Sequence, residues 1–280
     1  MPRVYWEFTD EIGDSQSPGS VYRRCGGEGM HRIDLNCDLG EGAGHDAELM
    51  PLITSANIAC GGHAGDAQTM RTAVELARKH GVAIGAHPGL NDREHFGRRE
   101  TPILPAEARA LVCTQIRILQ SIVQSCGGRL AHVKPHGALY NLAARDAALA
   151  RAVAEAVGEV DPRLVLFGQA GSELLAAGRA CNLRVASEVF ADRTYQPDGS
   201  LTPRTRAGAL VRDESVAVEQ VLCLVREGRV RAVDGSDVTV KADTVCVHGD
   251  GPHAVAFARR LRAELHSAAV VVAAFAPVET

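Results

Sequence analysis

From residue 32 onward one rhythm repeats along the chain: a short β-branched or apolar run, a turn rich in Gly, His and Asp, then a helical stretch. This alternation admits few folds, because right-handed crossovers return each strand beside its predecessor in a parallel sheet with helices outside. The candidate strands are 32–37, 55–60, 82–86, 130–134, 164–168, 184–189 and 244–248. Helical signals fall between them at 66–81, 105–126, 146–158, 172–181, 213–227 and 253–266. Asp66 stands where an N-cap would, a basic last turn precedes Gly81, and Pro105 opens the second helix.

An open doubly wound sheet and a closed barrel both satisfy this pattern, and the polar residues discriminate between them. Asp38 and Glu41, His63 and Asp66, His87, Lys134 and His136, Gln169, Glu188 and Asp192, His248 and Asp250 follow almost every strand. An open sheet concentrates such groups at its topological switch point, whereas a barrel mouth collects them from all its strands. The expectation is a (β/α) barrel of about seven parallel strands, one domain over 30–280, and 280 residues suit it. Residues 1–29 sustain no period and read as a flexible N-terminal extension.

Composition narrows the partners. A net charge of -4 without a basic cluster argues against nucleic acid. The 8 cysteines show no C-x-x-C spacing and mostly sit singly in apolar stretches, as reduced thiols of a cytoplasmic protein do. No apolar run reaches the roughly 18 residues of a membrane span, so no membrane is expected as a partner.

Four constellations carry chemistry. In "RIDLNCDLGEG", Asp34 and Asp38 are four apart and share one face of an extended strand, with Glu41 on the following loop. Converging carboxylates there could bind a divalent cation or push one another's pKa values apart; alternatively Asp34 bonds backbone and Asp38 caps the turn. "NIACGGHAGDAQTM" and "GAHPG" place His63 and His87 at successive strand ends, as metal ligands or as hydrogen-bond donors to a polar substrate, while Asp66 caps its helix or joins the site. In "AHVKPHGALYN", His132, Lys134 and His136 alternate along a strand that Pro135 closes. Lys134 then suits a carboxylate or phosphate, unless it snorkels at the rim. "VCVHGDGPHAV" runs a strand into Gly249-x-Gly251 at a helix start, either a tight turn or a phosphate cradle. Two long post-strand loops, 90–102 and 191–213, carry Arg93, Arg98 and Arg99, and Arg193, Arg204 and Arg206, which suit an anionic ligand or are solvated. No Walker A sequence is present.

The strings "DLNCDLGEG", "ANIACGGHAGD", "GAHPGLNDREHFGRR", "HVKPHGALYN", "EVFADRTYQPDGSLTPR" and "VHGDGPHAV", from about Ile33 to about Leu265, resemble the LamB/YcsF family. The resemblance implies a barrel of the glycoside hydrolase/deacetylase type and ATP-dependent conversion of 5-oxo-L-proline to L-glutamate. It implies ATP, with Mg2+, as cofactor and 5-oxoprolinase subunits B and C as partners. Asp38, Glu41, His63, His87, Lys134 and His136 are then the catalytic candidates. Asn36, Arg98, Glu188, Asp192, Arg193, His248, Gly249 and Gly251 are candidates for substrate or phosphate binding. Any metal would sit on Asp38, His63 and His87. Two other readings stay open: a metal-dependent amide hydrolase or deacetylase acting alone, and a non-catalytic subunit that binds 5-oxoproline.

Overall fold

The structure, a computed structural model, describes residues 31–247, 249, 251 and 253–276. The extension over 1–29 and His248 lie outside the described residues. Along the chain run β1 (Arg32–Leu39), α1 (Asp46–Leu49), β2 (Ser55–Ala59), α2 (Ala67–His80), β3 (Ala83–His87), α3 (Pro105–Ser125) and β4 (Leu130–Val133). There follow α4 (Gly137–Arg145), α5 (Ala147–Val160), β5 (Val165–Gln169), α6 (Glu173–Ala180), β6 (Arg184–Phe190) and α7 (Glu214–Glu227). The last elements are β7 (Arg229–Arg231), β8 (Asp237–Thr239), β9 (Thr244–Val247), α8 (Ala254–Ser267) and β10 (Val271–Val272).

Seven strands close a parallel barrel in the order β1-β2-β3-β4-β5-β6-β9, and β9 pairs back onto β1 through Asp34↔Thr244 to Cys37↔Val247. Closure is what the distribution of polar residues predicts, and all seven expected strands form within two residues of their expected bounds. Four features were not anticipated. α1 has only four residues, α4 follows a Pro-His-Gly turn that hides its period, and β7 and β8 make an excursion hairpin. β10 adds two residues beside Arg32 and Ile33 at the amino end of β1.

Local chemistry explains why the elements start and stop where they do. Asp66 resolves as a helix cap: Thr69 N donates to Asp66 Oδ1 at 2.8 Å and Asp66 N donates to Thr69 Oγ1 at 2.7 Å, a capping box at the head of α2. Gly81, at φ 66°, ends that helix in the left-handed region. The main apolar core lies between barrel and helices. Ile33, Leu35, Cys37 and Leu39 face outward into it, as do Val112, Ile116 and Leu119 of α3 and Val153 and Val157 of α5. The alternate residues of β1 therefore point into the barrel, and they are Asp34, Asn36 and Asp38. A polar ladder fills much of the barrel axis.

Candidate active site

At the bottom of the ladder Asp34 is fully buried and accepts hydrogen bonds from Thr54 Oγ1 (2.6 Å), Ser55 Oγ (2.8 Å) and Thr244 Oγ1 (2.6 Å). Burial raises its carboxyl above the ordinary value despite those three donors. Asp34 thus ties β1, β2 and β9 together below the site.

One level up, Asn57 Nδ2 donates to Asn36 Oδ1 at 2.8 Å and to Asp38 Oδ1 at 2.9 Å. Asn57 Oδ1 accepts from His132 Nε2 at 2.8 Å, so His132 carries its proton there and keeps a bare Nδ1 with no protein partner. Burial, reinforced by the charge of Lys134, pushes His132 down to about 3, so it is neutral. Its ring stacks on Phe167 at 4.3 Å.

Lys134 is the only ammonium inside the described barrel. Its Nζ lies 2.8 Å from Glu188 Oε1, 3.0 Å from Asp38 Oδ1, 3.1 Å from Asn36 Oδ1 and 3.2 Å from Cys246 Sγ. Tyr140 donates from its hydroxyl to Glu188 Oε2 at 2.6 Å. Burial works against the ammonium, yet Asp38, Cys246 and Glu188 hold it well above the ordinary lysine range. Lys134 is therefore a fixed buried cation and does not snorkel to the rim.

Above it lie Glu41 and three imidazoles. Gly40, at φ 72°, turns the chain sharply after β1 so that Glu41 folds back over the barrel mouth. Glu41 Oε1 is 2.9 Å from His63 Nε2, 3.3 Å from His136 Nδ1 and 3.8 Å from His87 Nε2. His87 Nε2 also lies 3.3 Å from Asp38 Oδ2. Glu41, His63, His87 and His136 each bring one donor atom within 4.8 Å of the others, a cluster that could hold a metal ion. Among the donor atoms of this cluster Asp38 has no place, so the triad Asp38, His63 and His87 expected from the sequence differs from the geometric one.

The electrostatics separate these groups. Burial opposes the charge of Asp38, but His87 and Lys134 hold its carboxyl well below the ordinary range. Burial and the neighbouring Asp38 charge raise Glu41. Burial would lower His87, but Asp38 raises it above the ordinary value. His63 and His136 fall to about 3, through burial and then through the positive charge of His87.

The loop after β3 covers the imidazoles. Phe96, at φ 55°, accepts His136 Nε2 on its carbonyl oxygen at 2.9 Å, and its ring meets His63 and His136 edge-on at 5.5 and 5.3 Å. Arg93 donates to the Gly61 and Gly65 carbonyls, bracing the loop that carries His63. Arg98 is exposed, its guanidinium 5.0 Å from the Phe96 ring centre, and its charge acts on Glu41. On the second long loop, Arg193 is buried and donates to Thr202 O at 2.6 Å and Ala209 O at 3.4 Å, closing its own loop. Asp192 is half-buried, and its carbonyl oxygen accepts from Val211 N. Gly249 packs against the end of β1, where a Cβ would meet Cys37 Sγ at 3.2 Å and Asp38 O at 3.3 Å. Gly251 O accepts from Ala254 N at the start of α8.

Asn57, Tyr140, Phe96 and Cys246 join the site without having been anticipated. Asn57 stands in register with Asp38 across the β1–β2 pair, a relation that appears only in the fold. A cleft of about 480 Å³ opens elsewhere, between α2 and α3, lined by Gly61, Gly62, Met70, Asn91, Thr114 and Gln115. Neither the imidazoles nor Asp38, Glu41 or Lys134 line it, so it is not the chemical centre.

A closed parallel barrel that gathers carboxylates, imidazoles and a buried lysine at the carboxyl ends of its strands defines a (β/α)-barrel protein of the enzymatic kind. Residues 33–280 match the LamB/YcsF family, and the chain belongs to that family. It is 57% identical over 249 residues to a protein of Geobacillus kaustophilus named as the A subunit of 5-oxoprolinase, covering 88% of this chain and 97% of that one. It is 53% identical over 251 residues to a protein of the same name from Bacillus licheniformis, covering 88% and 99%. Among solved structures, the lactam utilization protein of Thermus thermophilus superposes with a TM-score of 0.82 at 45% identity, covering 87% of this chain and 99% of that one.

Proposed function

We propose that this chain is the lactam-opening subunit of a multi-subunit, ATP-dependent 5-oxoprolinase, releasing L-glutamate from 5-oxo-L-proline. The observation that carries this reading is the near full-length identity to proteins named as the A subunit of 5-oxoprolinase, over a stretch that includes every residue of the buried cluster. ATP, with its Mg2+, is used on partner subunits corresponding to B and C.

A five-membered lactam is a resonance-stabilised amide that water attacks slowly. Phosphorylation of its carbonyl oxygen by ATP, with ADP leaving, gives an imidate phosphate with an electrophilic ring carbon. Water adds to that carbon and gives up a proton, and the C–N bond breaks as the nitrogen gains one. A second water hydrolyses the resulting acyl phosphate to glutamate and phosphate. Asp38 is kept ionised by His87 and Lys134 and is the acceptor for the proton of the attacking water. Lys134, with Arg98 at the rim, supplies the positive field for carboxylate and phosphoryl oxygens.

Glutamate release is measured with the chain alone, with both partner subunits, and with or without ATP. Turnover only in the complete mixture is expected, and no turnover in that mixture defeats the proposal. The buried imidazole cluster favours one second reading, an amide hydrolase acting alone. Glutamate release without ATP or partners would select it.

A further inference from the structure

The proton positions of the three imidazoles lead further. A carbonyl oxygen only accepts, so the 2.7 Å bond between His87 Nδ1 and Lys134 O puts the His87 proton on Nδ1. By the same argument the bond from His136 Nε2 to Phe96 O puts the His136 proton on Nε2. The two remaining nitrogens, His87 Nε2 and His136 Nδ1, face each other 2.9 Å apart. In the metal-free chain the His87 imidazolium carries a proton between them; once that proton leaves, both present bare lone pairs, and Glu41 Oε1 stands 3.8 and 3.3 Å from them. Three electron-rich atoms thus converge on one point in a buried pocket, and a positive charge there, either the His87 proton or a metal ion that replaces it, relieves their repulsion. His87 and His136 are 1% and 3% exposed, so bulk water does not supply that relief.

His63 plays a different part. Its ring lies parallel to that of His136, 3.6 Å away with an interplanar angle of 3°, so its lone pairs run alongside those of His136 and do not converge with them. It donates from Nε2 to Glu41 Oε1 at 2.9 Å, the arrangement by which an outer partner fixes a ligating carboxylate. Lys134 O and Phe96 O do the same for the two ligating rings, each holding the distal N–H.

We propose that His87 Nε2, His136 Nδ1 and Glu41 Oε1 bind one divalent transition-metal ion, with His63 orienting Glu41 and the fourth position left to a further ligand. The donor separations of 2.9, 3.3 and 3.8 Å bracket the roughly 3.3 Å edge of a tetrahedron with ligand distances near 2.0–2.1 Å. Two imidazoles and one carboxylate select zinc, cobalt or iron(II) over magnesium, which prefers oxygen ligands. Asp38 Oδ1 is tied to Lys134 and Asn57, and its Oδ2, 3.3 Å from His87 Nε2, stands beside the fourth position.

Metal binding is read without substrate, ATP or partners, so it fails or succeeds independently of the proposed lactam chemistry. The chain is stripped with a chelator, dialysed against Zn2+ or Co2+, and its metal content and Co2+ absorption spectrum are recorded. About one equivalent is expected, with intense visible bands of four-coordinate cobalt. His136→Ala and Glu41→Gln are expected to weaken binding at least about tenfold, whereas His63→Ala weakens it less and the loop control His95→Ala not at all. Circular dichroism checks each fold, and the wild-type spectrum stands whether or not a variant folds. Less than about a tenth of an equivalent in the wild type, or a His136→Ala chain that binds Co2+ as tightly, overturns the proposal. So does an imidazole proton resonance shared by His87 and His136 that persists in excess Zn2+, because a proton then occupies the position.

Discussion

Lys134 Nζ stands 3.0 Å from Asp38 Oδ1 inside the barrel, and the same ammonium reaches Glu188 Oε1 at 2.8 Å on the far side. One cation therefore holds two buried carboxylates in place, one of them beside the imidazoles and the other beneath the Tyr140 hydroxyl. Lys134→Met keeps much of the side-chain volume but takes the ammonium from Glu188 and leaves Asp38 with His87 alone. Removing one partner of a buried ion pair costs about 3–5 kcal/mol. Urea unfolding is expected to show a loss of that order, and Lys134→Met/Glu188→Gln is expected to recover part of it. Glutamate release in the complete system should fall at least about a hundredfold in Lys134→Met. A stable, active variant would mean that the carboxylates find other partners.

Asp34 makes a prediction about pH. Burial raises its carboxyl in the folded chain above the unfolded value of about 3.9, so the native state binds the extra proton. The sign follows from linkage: stability is highest below the unfolded pKa, falls as pH rises through the interval up to the folded pKa, and is level above it. Asp34→Asn removes the titrating group; its amide oxygen in the Oδ1 position still accepts from Thr54 and Ser55, while its NH2 faces Thr244 Oγ1. The difference in unfolding free energy between wild type and Asp34→Asn, followed by urea from about pH 4 to 7, is expected to shift in favour of the variant as pH rises. A difference that does not change with pH would show that Asp34 titrates alike in both states.

Gly97 tests whether the covering loop positions the imidazoles. It sits at φ 62°, and a Cβ there would lie 2.7 Å from His63 Cβ and 3.1 Å from His136 Cδ2. Gly97→Ala therefore combines left-handed strain of about 1–3 kcal/mol with a displacement of both rings. Turnover is expected to fall at least about tenfold, since displacements of an ångström at a site carry penalties of that size or more. Gly42→Ala is the matched control: its φ of 87° imposes similar strain, but nothing lies within 4 Å of the added Cβ. Equal turnover in the two variants would dissociate the loop from the chemistry.

The barrel was readable because its signals are local: each strand ends in a polar turn, and period-two alternation puts Asp34, Asn36 and Asp38 on one face of β1. Glu41, His63, His87, Lys134 and His136 were readable as a group for the same reason, since each follows a strand directly. What they do to one another was not readable. The sequence points to a metal set of Asp38, His63 and His87, whereas the residues whose donor atoms lie within 4.8 Å of one another are Glu41, His63, His87 and His136. That difference rests on which ring nitrogen each backbone carbonyl claims, a property of three-dimensional contact. Arg193 looked like an anion ligand in a long loop, and the structure spends its donors on the carbonyls of Thr202 and Ala209. Asn57 was overlooked because a single amide in an apolar run has no periodicity of its own.

Gln115 shows how far from the mouth the site's geometry is set. It lies on α3, 5% exposed, accepts Gly89 N–H on Oε1 at 3.0 Å and donates from Nε2 to Gly89 O at 2.7 Å. Gly89 follows His87 by two residues, and a Cβ there would come within 2.6 Å of His63 Nδ1, so this backbone is pressed against the imidazole. In Gln115→Leu both groups of Gly89 lose their partner, at about 1–3 kcal/mol for each buried group left unsatisfied. The loop is then free to shift to find water, and His63 and His87 move with it. Amide exchange at Gly89 is expected to accelerate in Gln115→Leu while the amides of β5 and β6, across the barrel, keep their protection. Turnover should fall with it, and Gln115→Glu, which can still accept from Gly89 N–H, should fall between the two. If Gly89 exchanges as slowly in Gln115→Leu as in the wild type, the loop is held by its own packing and Gln115 is merely a buried helix residue.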